Sequence, residues 1–317
     1  MKFDKGLHEI GTDSYAYLQP DGSWGYSNAG LIVSEGESLL VDTLFDEVLT
    51  AQMLASMKRA TGIGGGDITT LVNTHANGDH TYGNRLVCNA EIIASAATAE
   101  EVTELPPQAL AEIVRGAAAM GGEFGDYVLK CFGAFHFDGV TLVPPTRTCN
   151  RRLDRQGGDK AVKLNEVGPA HTRGDVLAWC PQDRTLFTGD ILFIDGTPIM
   201  WAGPVANWVA ACDLIMDLDV DVIVPGHGPI TDRHGVSRVR DYLVYVDGEV
   251  RRRYDAGMSV EEAAFDIALA DFANWLDAER IAVNVDTLYR EYSGDHSEPD
   301  ILQLFALMAR LDRDRRG

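Results

Sequence analysis

Two imidazoles and a carboxylate fall within six residues of one another in the stretch Leu71–Asn84, LVNTHANGDHTYGN. His75, Asp79 and His80 follow an apolar run, which predicts a polar loop directly after a buried strand. Holding such groups together beside a core is costly unless something binds there. Imidazole nitrogen and carboxylate oxygen suit zinc, iron or manganese. The stretch therefore indicates a metal site. Asn77 lies among these donors, but its side chain is of a type less suited to bind such a metal.

Three further positions have the same character, because each follows a strand-like run and is flanked by glycine. They are His171 in GPAHTRGD, Asp190 in LFTGDILF and His227 in VPGHGP. Glycine lets the backbone turn sharply at the end of a strand, where a side chain can face a shared crevice. Any one of them alone is more often a structural loop residue. Their joint occurrence carries the prediction.

The elements that must position these residues are predicted from turn formers and apolar periodicity. Strands are predicted over residues 15–19, 29–34, 38–42, 68–73, 91–94, 140–143, 161–167, 176–180, 185–188 and 221–224. A helix is predicted from the N-cap Asp46 to about residue 60, and others over 205–218 and from His234 to the end. An alanine-rich helical stretch, 97–133, separates two groups of candidate ligands. It is either a wall of the site or a plain surface insertion.

The order of these residues resembles the five-motif pattern of the metallo-β-lactamase-fold hydrolase superfamily. The likeness spans most of residues 7–235 and rests on LLVDT, THxxGDH, TGD and PGHG. It implies an α/β fold: an αββα sandwich of two mixed sheets, with helices outside and a metal site at the edge of the sheets. Residues 1–237 are accordingly predicted to form the sandwich domain, with 97–133 as a helical insertion near the site. Residues 238–317 are predicted to form a C-terminal helical extension.

The same resemblance implies a role for each residue of the pattern. The first metal site would take His75, Asn77 and His171, and the second would take Asp79, His80 and His227, with Asp190 bridging the two. Asp42 would lie beneath the loop and fix the orientation of a histidine without binding metal itself. Asp79 is also implied as the catalytic residue that orients a water molecule and accepts its proton.

Asn77 departs from the family pattern, which usually has histidine at that position. A neutral carboxamide oxygen is a poorer ligand for a transition metal than imidazole. The first site would keep only His75, His171 and the shared Asp190 as strong donors, whereas the second keeps four. We therefore expect one firmly bound metal, zinc in the simplest case, and a second that is weak or absent. Iron and manganese are the alternative metals.

A metal in such a site lowers the pKa of its bound water from ~15.7 to about 7. The sequence has no Gly-x-Ser-x-Gly elbow and no convincing cysteine nucleophile, which favours a metal-activated water over covalent catalysis. The predicted function is hydrolysis of an ester, thioester, lactone or related carbonyl bond in a small apolar or aromatic metabolite. The predicted pocket residues are Trp24, Tyr26, Asn28, Met200, Trp201 and Trp208. Each of these tryptophans, taken singly, is at least as well explained as core.

Two other functions stay open at this point. The phrases AYLQPDGSWGYSNAGLIV and THANGDHTYGN look like actinobacterial members of the superfamily, including cyclases of aromatic polyketide pathways in secondary metabolism. That likeness implies a metal that polarises carbonyls for ring closure. The other alternative is a non-catalytic ligand-binding member of the fold. The retention of six strong ligands makes this non-catalytic alternative weaker than an enzyme.

The composition of the chain limits the kinds of partner that it is expected to bind. The net charge of −21 argues against nucleic-acid binding, because such a chain repels phosphate backbones. No run of about 18 apolar residues and no signal-peptide core occur, so we expect a cytoplasmic protein without membrane contact. Five cysteines without CxxC spacing argue for reduced thiols. The expected partner is a small-molecule substrate. Apolar positions in the C-terminal helices, Leu302, Phe305, Leu307 and Leu311, also permit a homodimer.

Overall fold

The computed structural model describes residues 2–316, which form two packed sheets with helices on their outer faces. The first sheet runs in chain order and has seven strands. They are β1 (Gly6–Gly11), β2 (Ser14–Leu18), β3 (Ala29–Ser34), β4 (Glu37–Val41), β5 (Thr70–Val72), β6 (Glu91–Ser95) and β7 (Arg147–Cys149). Strands β1 to β4 are antiparallel, and β4 to β7 are parallel. The sheet is therefore mixed, as predicted.

The second sheet has five strands, in the spatial order β12, β11, β10, β9, β8. They are β8 (Arg152–Gly157), β9 (Lys160–Glu166), β10 (Val176–Cys180), β11 (Thr185–Phe187) and β12 (Val222–Val224). Strands β11 and β12 are parallel, and the other pairs are antiparallel. Both sheets thus contain parallel strands whose carboxyl ends can meet at one edge.

The helices lie around this sandwich and beyond it. In chain order they are α1 (Glu47–Thr61), α2 (Gly78–Thr81), α3 (Ala96–Glu101), α4 (Pro107–Met120), α5 (Gly122–Phe132), α6 (Val205–Asp217), α7 (Arg233–Asp255), α8 (Val260–Asp266), α9 (Ile281–Ser293) and α10 (Ile301–Arg316). The predicted αββα fold with C-terminal helices is confirmed. No helix in the described chain is long and apolar enough to cross a membrane.

Alternate residues of the central strands supply the two faces of the first sheet. In β4, Leu39 and Val41 pack between the sheets with Val176 and Phe187 of the second sheet. Leu40 points to the other face, into the cluster that includes Met53 of α1. A strand buried on both faces reads as a continuous apolar run, which is why LLV was recognisable in the sequence.

A third and larger apolar cluster joins α4–α6 to the C-terminal helices. It includes Val128 of α5, Trp208 of α6, Tyr242 of α7, Leu288 of α9 and Met308 of α10, all buried. The helices after residue 238 therefore pack on the same cluster as the helices beside the sheets. The domain boundary at 237 and 238 stays a prediction.

The structure corrects one predicted element and adds three strands that were not predicted. Residues 140–143, predicted as a strand, form irregular chain after α5, and Val140 is buried there. Strands β1, β7 and β8 were not predicted. In β8, RLDRQG, the side chains alternate between exposed and half-buried, and Leu153 is the only large apolar residue. Apolar periodicity cannot reveal a strand with so little apolar surface.

Candidate metal centre

Strand ends from both sheets meet at one edge of the sandwich and deliver the candidate ligands. Asp42 follows β4 and His75 follows β5, while Asp190 follows β11 and His227 follows β12. These four strands lie in the parallel parts of their sheets, so their carboxyl ends point the same way. His171 precedes β10, which is antiparallel to β11, and so it reaches the same edge.

The structure brings six of the predicted ligands into two adjoining groups. All six side chains are buried, and within each group the ligand atoms lie within 4.8 Å of one another. The first group is His75, His171 and Asp190, and the second is Asp79, His80 and His227. The division matches the two sites that the sequence motifs imply, with Asp190 assigned here to the first group.

The carboxylate of Asp190 lies between the two groups. Its Oδ2 is 3.7 Å from His75 Nε2, 3.3 Å from His171 Nε2 and 3.5 Å from His227 Nε2. Its Oδ1 is 3.1 Å from His80 Nε2. Ligands on one tetrahedral ion with bonds of about 2.0–2.1 Å lie roughly 3.3 Å apart. The spacing is therefore that of atoms converging on shared cations.

Buried atoms without hydrogen bonds identify what the centre is built to hold. His75 Nε2, His80 Nε2 and Asp190 Oδ1 are buried and make no well-directed hydrogen bond to any described residue, although His80 Nε2 and Asp190 Oδ1 lie 3.1 Å apart. An unsatisfied buried polar atom costs about 1–3 kcal/mol, and these three converge on the same space. A divalent cation would satisfy all three together. The donor set of imidazole and carboxylate therefore fits a divalent metal.

Asp42 positions the histidines of the opening loop from beneath. Its Oδ2 accepts a hydrogen bond from His80 Nδ1 at 2.9 Å, and its two oxygens accept from Thr74 N and Oγ1, each at 2.7 Å. Thr74 Oγ1 in turn lies 3.0 Å from His75 Nδ1. Because both Nδ1 atoms are engaged below the loop, both Nε2 atoms face the centre.

The other two histidines are held by backbone carbonyls. His171 Nδ1 donates to Ile199 O at 2.6 Å, and His227 Nδ1 donates to Gly22 O at 3.1 Å. Each contact fixes the tautomer that leaves Nε2 as the free donor toward the metal. Neither carbonyl could be assigned from sequence, since every residue carries one.

Asn77 lies beside the first group. Its Nδ2 is 3.1 Å from His171 Nε2, so in this orientation the amide nitrogen faces the centre. Half a turn of the carboxamide would present the oxygen, which is a neutral donor. The Asn77 side chain thus lies where the sequence motif implies a ligand of the first site. Its amide is a weaker metal ligand than the histidine that the family usually has there.

The histidines of the centre fall into two electrostatic classes. Burial and the charge on His80 lower the pKa of His75 well below its usual value, and burial also lowers the pKa of His171. Burial opposes protonation of His80 and His227 as well, but Asp190 and Asp79 outweigh it. They raise the pKa of His80 well above its usual value and that of His227 to about 9. Metal binding would displace the protons from these two histidines.

The carboxylates are held in their ionised form. Burial raises the pKa of Asp79, but the charges of His80 and His227 outweigh it and set the pKa at about 2. Burial is likewise outweighed at Asp190, where His227 and His80 hold the pKa well below its usual value. Both groups are therefore acceptors suited to a cation.

A family model described as the metallo-beta-lactamase superfamily matches residues 22–227, more than half of the chain. The chain belongs to the metallo-beta-lactamase superfamily. The match contains every residue of the metal centre described above, and it ends at His227. The family that the sequence motifs resemble is therefore confirmed.

The curated relatives share only part of the chain. The beta-lactamase-like protein 2 homolog of Caenorhabditis elegans is 32% identical over 75 residues, which are 24% of this chain and 24% of that protein. The linear primary-alkylsulfatase of a Pseudomonas species is 26% identical over 139 residues, or 40% of this chain and 26% of that enzyme. This chain therefore spans about a quarter of the length of each.

Solved structures share the fold over more of the chain. The stereoselective inverting sec-alkylsulfatase Pisa1 from Pseudomonas sp. superposes with a TM-score of 0.67 at 17% identity, covering 92% of this chain and 50% of that one. The metallo-beta-lactamase from Pontibacter korlensis superposes with a TM-score of 0.55 at 18% identity, covering 76% of this chain and 99% of that one. At these identities the likeness establishes the superfamily fold.

In this member of the superfamily, a cavity of about 930 Å³ opens above the metal centre. Asn77, Asp79, His171, Asp190 and His227 all line it. A volume of this size lies near the upper end of small-molecule sites, about 300–1,000 Å³. The centre is therefore reachable by a ligand of considerable size.

Two of the six predicted pocket residues, Trp24 and Trp201, line this cavity. The other four lie elsewhere. Trp208 is fully buried, and its indole nitrogen donates to Ile191 O at 2.9 Å. Asn28 is also buried, and its amide donates to Pro225 O and Gly228 O, on either side of His227. Met200 is buried in the core, and the ring of Tyr26 packs against Phe135.

Several cavity residues had no role in the sequence interpretation. Arg280 is buried, and its guanidinium lies 4.4 Å from the centre of the Trp24 ring and 5.3 Å from that of Phe193. The Phe193 ring stacks on His227 at 5.1 Å. Asp277 pairs with Arg280 at 2.9 Å. No local signal places this arginine at the cavity, because Trp24 and Phe193, the rings that its guanidinium faces, come from distant parts of the chain.

Proposed function

We propose that this chain is a metal-dependent hydrolase acting on an ester, thioester, lactone or related carbonyl bond of a small apolar or aromatic substrate. The observation that carries the proposal is the pair of buried His/Asp groups at the floor of a large cavity with tryptophan walls. Such a floor can hold a metal, while such walls can hold an apolar body. Water would add across the scissile bond, giving an acid and an alcohol, or a thiol from a thioester.

His75, His171 and Asp190 would hold one metal ion, with Asn77 as a weak fourth donor, and Asp79, His80, His227 and Asp190 would hold the other. When bound, a divalent metal supplies Lewis acidity and a nucleophile at neutral pH. We propose zinc for the second site, with iron or manganese as the alternatives. We also propose that the first site is filled weakly or not at all.

The protein's own groups have distinct tasks in this proposal. Asp79 borders the cavity, and its carboxylate can orient the attacking water and receive its proton. Trp24 and Trp201 hold the body of the substrate and exclude bulk water from the floor. The Asp42 side chain hydrogen-bonds Thr74 and His80 and lies outside the cavity lining, so its role is to position ligands.

The test is a panel of esters, thioesters and lactones, assayed with zinc-replete protein, with chelated protein and with chelated protein given zinc again. We expect turnover that chelation abolishes and zinc restores. Asp79→Asn and Asp190→Asn should each lower kcat/KM by at least about 100-fold, with folding checked by circular dichroism. Folded, metal-replete protein without turnover of any member would contradict the proposal.

A second candidate is hydrolysis of a sulfate ester. Two alkylsulfatases match this chain, one over 40% of its sequence and one over 92% of its structure. Release of inorganic sulfate from alkyl sulfates distinguishes this reaction from carbonyl chemistry. The sequence also left two alternatives open. A polyketide cyclase would release water from its substrate, and a non-catalytic binder would show saturable binding without turnover.

The proposal also includes the setting of the protein. We propose a cytoplasmic location, a small-molecule substrate, and no nucleic-acid or membrane partner. A homodimer through the C-terminal helices belongs to the same set of proposals. The mass of the protein in solution, measured by light scattering, tests this last point.

A further inference from the structure

Three helices present apolar stripes to the cavity, and each stripe follows helical spacing. The residues are Leu110 and Ile113 of α4; Phe124, Val128 and Phe132 of α5; and Ile301, Leu302 and Phe305 of α10. Residues three or four apart share one face of a helix, so each set forms a continuous strip. None of these eight side chains is charged or polar. Together they make one side of the cavity a hydrocarbon-lined channel.

The inner end of this channel reaches the metal centre. Phe132 packs against Phe45 with ring centres 6.1 Å apart, and Phe45 follows the segment in which Thr43 N donates to His80 O at 3.0 Å. Trp24 and Phe305 lie at the same end, with their ring centres 5.8 and 5.7 Å from that of Phe132. The channel therefore begins beside the ligands.

The outer end of the channel opens to solvent through apolar side chains. Val128 in the middle is 1% exposed, whereas Ile113 is 37% and Leu302 is 67% exposed. Leu105 and Ile301, also exposed, border the same opening. The α5 stripe from Phe124 to Phe132 spans about 12 Å at ~1.5 Å per residue. An exposed apolar mouth that continues along apolar helix faces toward the ligands fits an elongated apolar group better than a compact ring.

Charged groups also lie on the cavity rim, among them Glu104, next to Leu105, and Glu298, shortly before Ile301. Arg173 pairs there with Glu101 and Glu104, and Arg290 lies 3.5 Å from Asp286. The charged metal centre and the apolar side chains of α4, α5 and α10 therefore offer different surfaces to the two ends of a substrate.

We propose that the substrate carries an unbranched hydrocarbon chain of medium length, which lies between α4, α5 and α10 while the scissile bond meets the metal centre. This proposal rests on the hydrolase function proposed above and names its substrate class. In this proposal the distal end of the hydrocarbon chain lies at the exposed mouth of the channel. A second copy of the protein or a lipid surface at the mouth would be a competing occupant.

The first experiment measures kcat/KM for p-nitrophenyl esters with unbranched acyl chains from acetyl to dodecanoyl. Each methylene that enters the channel should raise kcat/KM about fourfold, the ratio equivalent to about 0.8 kcal/mol per buried CH₂. The rise should stop when the chain reaches the mouth. A flat profile, or one that favours branched or aromatic acyl groups of equal carbon number, would overturn the proposal.

Leu302→Glu and Met120→Glu form a matched pair of variants. Leu302 is 67% exposed at the mouth, and Met120 is 69% exposed at the end of α4, outside the cavity lining. Leu302→Glu should lower the ratio of kcat/KM for the longest ester to that for the acetyl ester by more than tenfold. Met120→Glu should keep the wild-type ratio. Equal ratios in the two variants would overturn the proposal.

Binding measured without turnover separates this proposal from the hydrolase function. Linear alcohols from butanol to dodecanol should displace an apolar fluorescent dye from chelated protein, with Kd falling about fourfold per methylene. That result without ester hydrolysis would support the channel and remove the proposed reaction. Hydrolysis without chain-length dependence in either assay would support the proposed reaction and rule out the channel. Concentration-dependent dimers that Leu302→Glu dissociates, or vesicle binding that it abolishes, would assign the mouth to a competing occupant.

Discussion

Asn77 places a carboxamide beside His171, where a third imidazole would complete the first group of ligands. The sequence motif reveals this substitution because ligand chemistry is a property of the side-chain type and its spacing. The orientation of the histidines is a different matter. Ile199 O and Gly22 O hold His171 and His227, and a carbonyl has no sequence signature. Residue types were predictable, whereas their backbone supports were not.

Asn77→His should raise the tightly bound metal from about one ion per chain to about two. The variant supplies a third imidazole to the first group, which has only three strong donors. Elemental analysis after dialysis against metal-free buffer measures the ratio, with Asn150→His, in an exposed loop between β7 and β8, as the control. Two firmly held ions in the wild-type protein would contradict the expected inequality.

Asp42→Asn should weaken metal binding in the second group by about 10- to 100-fold. The carboxylate that now accepts from His80 Nδ1 at 2.9 Å would become a neutral amide, which orients the imidazole less firmly. Competition with a chelator of known zinc affinity measures the change. Asp138→Asn, whose side chain is 80% exposed in an ion pair with Arg115, is the control. An unchanged affinity would show that Asp42 serves the fold alone.

Helices and strands could be predicted from the sequence where local chemistry decides where they begin. The N-cap at Asp46 was predicted, and α1 begins at Glu47 with the Asp46 side chain accepting from Leu49 N. Prediction failed for β8, a strand of mostly polar residues that pairs with the next strand, β9, across a short turn, because apolar periodicity does not mark such a strand. The irregular residues 140–143 show the converse, since apolar character there serves burial beside the helices and not strand pairing.

Asp46→Ala should lower the free energy of unfolding by about 2 kcal/mol. Asp46 Oδ1 caps α1 through Leu49 N at 2.7 Å, and Oδ2 accepts from His136 N at 2.9 Å, so the variant loses both contacts. Urea unfolding at constant metal concentration measures the loss. Ser259→Ala removes an exposed cap of α8 and should cost less, about 1 kcal/mol. Equal losses would indicate that the link to His136 contributes nothing.

At the scale of the whole molecule, helix α9 holds the segment that positions the first metal group. Thr287 Oγ1 donates to Met200 O at 2.6 Å, and Arg280, just before the helix, donates to Thr197 O at 3.1 Å. Between these points lies Ile199, whose carbonyl fixes His171. The family motifs end before α9 begins, so this dependence of the centre on the C-terminal helices could not be predicted from them.

Asn284 is the residue of α9 on which this dependence is best tested. Its Oδ1 accepts from Met200 N at 2.8 Å, and its Nδ2 donates to Pro198 O and Tyr242 Oη, each at 2.9 Å. Asn284→Ala leaves those three buried partners unsatisfied, so the free energy of unfolding should fall by about 2–4 kcal/mol. Because Ile199 O would then be held less firmly, zinc affinity of the first group should fall as well.

Urea unfolding and zinc titration of the same variant separate packing from support of the metal centre. Asn207→Ala is the control, since Asn207 makes a single exposed hydrogen bond to Pro169 O at 3.1 Å, in the segment that leads to His171. It should leave both measurements near their wild-type values. A destabilised Asn284→Ala protein that still binds zinc as the wild type does would restrict α9 to packing. Loss of both properties together would mean that the C-terminal helices and the sandwich form one functional unit, because the carbonyl that orients His171 depends on both.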